Sequence, residues 1–135
     1  MENHFEIRMT TGQLQTVSSI GLAHVGDAVF ELLVRSWLCA GGKATAKGMH
    51  RATVAIVRAE SQAARAEKIL PVLTEEEAGV FRRGRNANVH TVPSHASRAQ
   101  YAEATALEAL LGWLYLSGQK DRVSELFGLM MEGES

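Results

Sequence analysis

The chain has 135 residues, 46% of them hydrophobic and 21% charged, with a formal net charge of −1; this suits one compact domain, 1–135, and excludes disorder over most of it. A single Cys39, no charged-then-apolar leader and no apolar run approaching the roughly 20 residues of a membrane span point to a cytoplasmic protein outside the membrane. Near-neutral charge argues against a protein that coats nucleic acid non-specifically.

With only Pro71 and Pro93, and with abundant Ala and Leu, an all-α fold is expected. From Thr16 or Ser18 to Cys39, the positions Ile20, Leu22, Val25, Val29, Phe30, Leu32, Leu33 and Trp37 nearly encircle a helix. That pattern predicts a central, buried helix, ended by Gly41-Gly42. A second helical stretch runs from about Thr45 to Leu70, kinks near residue 59 and is closed by Pro71. Thr74-Glu75-Glu76-Glu77 places glutamate three residues after an N-cap type, so a short helix starts there and runs toward Phe81. Arg82-Arg83-Gly84-Arg85-Asn86-Ala87-Asn88 is too polar to pack inside and leads into a loop through Val92-Pro93-Ser94. A third long helix starts near Ser97 and ends at Ser117-Gly118, with Tyr101, Leu107, Leu110, Leu111 and Leu114 toward the core. A last amphipathic helix from about Lys120 to Met131 carries Val123, Leu126, Phe127 and Met130. No strand pattern or internal repeat is visible.

Asp27 stands out, because a carboxylate inside a nearly all-apolar helix costs several kcal/mol to desolvate unless a cation or donors receive it. Gly26 beside it costs about 1 kcal/mol relative to alanine, which points to another backbone approaching closely there. Glu108 repeats the anomaly within Ala106-Leu107-Glu108-Ala109-Leu110-Leu111. Two arrangements remain open: each carboxylate is paired with an arginine on its own face, or both converge on one hard divalent cation such as Mg²⁺. His24, Asp27 and Glu31 share one helix side, but His24 reads as a half-buried polar neighbour and Glu31 as a partner for an arginine. Cys39 has no histidine at helical spacing and is not read as a nucleophile.

Residues 43–100 hold ten Lys and Arg against five acidic residues, while both flanks are acidic. Lys47, Arg51, Arg58 and Arg65 would form one basic stripe if 45–70 stays helical, either a solvated face or a track for phosphates. In Arg82-Arg83-Gly84-Arg85-Asn86, glycine frees the backbone while arginine and asparagine present donors to phosphate and 2′-hydroxyl groups.

Gly26-Asp27-Ala28-Val29-Phe30-Glu31 resembles the signature helix of the ribonuclease III family, and Glu108-Ala109-Leu110-Leu111-Gly112-Trp113-Leu114-Tyr115 resembles its second catalytic helix. Met49-His50-Arg51-Ala52, Ser61-Gln62-Ala63, Arg83-Gly84-Arg85-Asn86-Ala87, Thr91-Val92-Pro93 and Tyr101-Ala102-Glu103-Ala104-Thr105 are together similar to the Mini-ribonuclease III subgroup, which lacks a double-stranded RNA-binding domain. The match covers about residues 15–128. It implies an all-helical endonuclease domain, a symmetric homodimer, and Mg²⁺-dependent hydrolysis of double-stranded RNA to 5′-phosphate and 3′-hydroxyl ends. Mn²⁺ would substitute, no organic cofactor is needed, and the usual substrate is precursor of large-subunit (23S) ribosomal RNA. By position, Asp27 and Glu108 match the catalytic, metal-coordinating carboxylates, and the loop from Arg83 to Asn86 is expected near RNA together with Lys47 and Arg51. The two further carboxylates of ribonuclease III proper would fall at Ala23 and Thr105, an absence the subgroup shares. His24 and Asn88 depart from the aromatic and basic residues usual at those places.

A symmetric dimer would set two carboxylate sites across the two strands and join two basic patches. The competing class is a non-catalytic module that kept the fold to bind RNA or the ribosome; the retention of both Asp27 and Glu108 disfavours it.

Overall fold

The computed structural model describes residues 2–87 and 97–134. The expected loop at Val92-Pro93-Ser94, the Thr91-Val92-Pro93 motif and Asn88 lie outside these residues. Among the described residues there are seven α-helices and no strand. They are α1 (Thr11–Leu14), α2 (Ser19–Ala40), α3 (Ala46–Val57), α4 (Ala59–Ile69), α5 (Glu75–Arg85), α6 (Arg98–Leu116) and α7 (Lys120–Met130), with a 3₁₀ turn at Leu70–Val72 between α4 and α5. None is long and apolar enough to cross a membrane.

Local chemistry sets most of these ends. Ser18 caps α2 by accepting from the Gly21 N–H at 2.9 Å, and the chain leaves through Gly42 at φ +108°, a conformation that glycine adopts without steric penalty. Thr74 with Glu77 and Ser97 with Gln100 form reciprocal capping boxes at the starts of α5 and α6. The kink expected near residue 59 is a full break at Arg58, whose extended backbone (ψ 154°) both ends α3 and begins α4.

The central helix is α6, not α2. Leu107, Leu110, Leu111 and Leu114 are completely buried, and α2, α4, α5 and α7 all pack around them. Phe30 of α2 meets Phe127 of α7 edge to face, ring centroids 6.1 Å apart. The most extensive contact is between α2 and α6, where two glycines remove the side chains that would hold the helices apart. A Cβ on Gly26 would lie 2.6 Å from the Glu108 carbonyl carbon, and one on Gly112 would lie 2.9 Å from that of Leu22. The close backbone approach expected at Gly26 is therefore present, and its partner is α6.

Two expectations are corrected. The encircling apolar pattern of α2 does not make it buried all round: Ile20 and Leu32 are exposed, and Val25, Val29, Leu33 and Trp37 are only partly covered. The basic segment after Phe81 is not a loop, since α5 continues through Arg85 and ends on Asn86. Gly84 serves packing there, because a Cβ on it would lie 2.9 Å from Ala109 Cβ and 3.0 Å from Ala106 Cα of α6.

Candidate metal centre

The α2–α6 crossing fixes where the two singled-out carboxylates meet. Asp27 follows Gly26 on α2, and Glu108 is the residue whose carbonyl lies under Gly26, so the close backbone approach at Gly26 also brings the two side chains together. The two carboxyl groups lie close enough for the Asp27 charge to act directly on Glu108. Asp27 is exposed and Glu108 is half-buried, so the expectation that both are desolvated inside apolar helices holds only in part for Glu108 and fails for Asp27.

Burial and the neighbouring Asp27 charge push the Glu108 carboxyl up to about 8, because two like charges in contact resist joint ionisation. Opposing this, Gln62 on α4 donates from Nε2 to Glu108 Oε2 at 3.2 Å. Among the described residues no arginine forms a salt bridge with either carboxylate, so the salt-bridged arrangement is not seen there. The donor set is two hard carboxylate oxygens plus access to water, which Mg²⁺ accepts; a structural zinc site needs four nitrogen or sulfur-rich ligands. Among the described residues no group of three or more His, Cys, Asp and Glu converges. Glu31 instead pairs with Arg35 at 3.4 Å, and His24 lines an apolar surface cavity. Ala23 and Thr105 are buried, the Thr105 hydroxyl donating to the Tyr101 carbonyl at 3.0 Å.

The basic residues do not form the predicted stripe. Lys47 and Arg51 share an exposed face of α3, but Arg58 is turned to Glu60 at 2.9 Å by the helix break. Arg65 is buried, donating to the Met130 carbonyl at 3.1 Å and to Glu134 at 2.9 Å. Arg83 and Arg85 are both exposed, yet two residues apart on a helix they face different ways. Arg83 lines a groove with Ser18, Leu22 and Trp113, whereas Arg85 lies 3.7 Å from Glu103. Asn86 is exposed at the C-cap.

Gln62 is the site residue that residue-by-residue reading missed. Its signal was periodicity: Gln62, Ala66 and Ile69 stand at i, i+4 and i+7, and the last two are completely buried.

Compared with known proteins, residues 21–119 match the family described as Ribonuclease III domain. The chain is 44% identical over 111 residues to the Mini-ribonuclease 3 of Symbiobacterium thermophilum, covering 82% of this chain and 85% of that one. It is also 44% identical over 120 residues to the Mini-ribonuclease 3 of Gloeobacter violaceus, covering 89% and 87%. An X-ray structure of a protein from Fusobacterium nucleatum superposes with a TM-score of 0.82 at 29% identity, covering 90% of this chain and 98% of that one.

Proposed function

We propose that this chain, which belongs to the ribonuclease III family and to its Mini-ribonuclease 3 group, is a cytoplasmic endoribonuclease that hydrolyses double-stranded RNA with Mg²⁺, Mn²⁺ substituting, and matures the precursor of 23S ribosomal RNA. The observation that carries this reading is the meeting of Asp27 and Glu108 across the α2–α6 crossing. Asp27 and Glu108 are the metal ligands and the catalytic residues. When bound, Mg²⁺ supplies the charge that lowers the pKa of an attacking water and steadies the leaving oxygen. Asp27 and Glu108 would hold the cation through their carboxylate oxygens, Glu108 in its deprotonated form. Lys47, Arg51, Arg83, Arg85 and Asn86 contact phosphates and 2′-hydroxyls, which recognise A-form shape and not sequence. The products carry 5′-phosphate and 3′-hydroxyl ends.

A homodimer completes the reading. Among the described residues, the side of α2 that carries Val25, Val29, Leu32 and Leu33 is left partly exposed and, with Tyr115 and Val123, lines an apolar cavity of about 530 Å³. A second copy covering this face removes it from water and sets two carboxylate pairs side by side, one for each RNA strand. Leu32, 57% exposed, tests this: Leu32→Glu is expected to give a monomer by light scattering, and a persisting dimer excludes this face.

The deciding experiment is cleavage of a labelled RNA duplex with Mg²⁺ or EDTA by the wild type, Asp27→Asn and Glu108→Gln. Metal-dependent cutting lost in both variants, with folding and duplex binding kept, is the expected result. Cutting by either variant at the wild-type rate overturns the assignment, and duplex binding without cutting by the wild type makes the chain a non-catalytic binding module.

A further inference from the structure

Gln62 is 2% exposed, and its side-chain amide is placed with little freedom. Nε2 donates to the Val57 carbonyl at 2.7 Å and to Glu108 Oε2 at 3.2 Å. Both partners are acceptors, so the nitrogen must face them, and its two N–H groups are both used. A flipped amide would set its oxygen against two other oxygens. The Val57 bond exists because α3 stops at Arg58, and carbonyls in the last turn of a helix lack partners within it. One N–H of Gln62 is thereby anchored on the main chain while the other reaches the carboxylate.

The amide is a poor way to fill this position for stability alone. Its Oε1 is buried without a hydrogen-bond partner, a cost that an apolar side chain of similar size would avoid. On the same face of α4, Ala66 and Ile69 are apolar and completely buried, whereas the buried Arg65 has its guanidinium satisfied by Met130 and Glu134. What the amide does that an apolar side chain cannot is close the Val57 carbonyl and, from that anchor, hold one chosen oxygen of Glu108.

Resting on the metal reading above, we propose that Gln62 is a positioning residue for the Asp27–Glu108 pair: its backbone-anchored N–H fixes the rotation of the Glu108 carboxylate, so that the pair is presented to a divalent cation in one orientation. Ligating carboxylates held in this way by outer hydrogen bonds bind metal more tightly, because the ligand need not be ordered on binding.

The test is titration of Mn²⁺ into the full chain, with free ion followed by electron paramagnetic resonance and melting temperature measured alongside. Gln62→Met keeps an unbranched side chain of similar volume without the N–H, and Gln62→Asn keeps the amide but is one methylene too short to span both acceptors. Both variants are expected to bind Mn²⁺ about tenfold more weakly, with the Mg²⁺ concentration for half-maximal cleavage rising in the same proportion. The rate at saturating metal should change much less. If the Met variant does not fold, the Asn variant decides. A folded variant that melts lower but binds Mn²⁺ like the wild type overturns the inference, leaving Gln62 a structural amide. Asp27→Asn separates the two readings: if it too binds Mn²⁺ like the wild type, the metal site itself is wrong and this inference falls with it. If it loses Mn²⁺ while both Gln62 variants keep it, this inference alone is wrong.

Discussion

Alanine at position 26 forces apart the two helices that carry Asp27 and Glu108. The added Cβ would lie 2.6 Å from the Glu108 carbonyl carbon and 2.8 Å from the Gly112 nitrogen, and closer still to the Glu108 oxygen. Carbon atoms rest about 3.5–4.0 Å apart, so α2 and α6 must separate by at least about 1 Å, and by more to clear the Glu108 oxygen. No rotamer change relieves this, because every obstructing atom is backbone. Overpacking of a close contact costs about 3 kcal/mol at the upper end of its usual range, and removing a helical glycine returns about 1 kcal/mol. The net expectation is a loss of about 2 kcal/mol. Gly128 supplies the control, since it is exposed on α7 and its added Cβ meets nothing within 4 Å; Gly128→Ala should gain up to about 1 kcal/mol from propensity alone. Urea unfolding of the three proteins measures both values. Cleavage by folded Gly26→Ala should fall about 100-fold, as expected for a displacement of about 1 Å between catalytic groups. Equal stabilities for Gly26→Ala and Gly128→Ala would refute the close-crossing argument.

The raised pKa of Glu108 makes the metal-free protein sensitive to pH. Its folded form keeps a proton up to about 8 that the unfolded chain releases near its ordinary value of 4.5, so stability falls as pH rises through that window. Melting temperatures in EDTA should show this slope, Glu108→Gln should remove it, and saturating Mg²⁺ should flatten it. Arg122 grips the 4%-exposed Glu77 with two hydrogen bonds of 2.8 Å and also donates to the Val72 carbonyl, tying α7 to the start of α5. Arg122→Met strands the Glu77 carboxylate and should cost about 3 kcal/mol, measured by urea unfolding at neutral pH. The double variant Lys47→Ala, Arg51→Ala should weaken duplex binding in EDTA and lower the slope of log affinity against log salt by about 2; an unchanged slope shows that neither touches phosphate.

Helix ends were legible because they depend on near neighbours. Ser18, Thr74 and Ser97 each satisfy a backbone N–H three residues on, whatever the rest of the chain does. The core faces of α6 and α7 follow from apolar spacing in the same way, and Gly26 announced a close contact because it has no local reason to be in a helix. Asp27 and Glu108 were likewise conspicuous by type and setting. Which group each would meet was a different matter, since residues 81 apart in sequence are joined only by the crossing of α2 and α6. Tertiary structure alone decided the fate of Arg58 and Arg65: one helix break rotates the stripe, and a carbonyl at the end of α7 takes a side chain that the pattern assigned to solvent. It also decided that α5 would run on through Arg85, because Gly84 packs on Ala109 of a distant helix. Gln62 shows the boundary most sharply. Its place on an apolar face is written in the spacing of α4, but its partners, a carbonyl freed by the α3 break and a carboxylate on α6, exist only once three helices have come together.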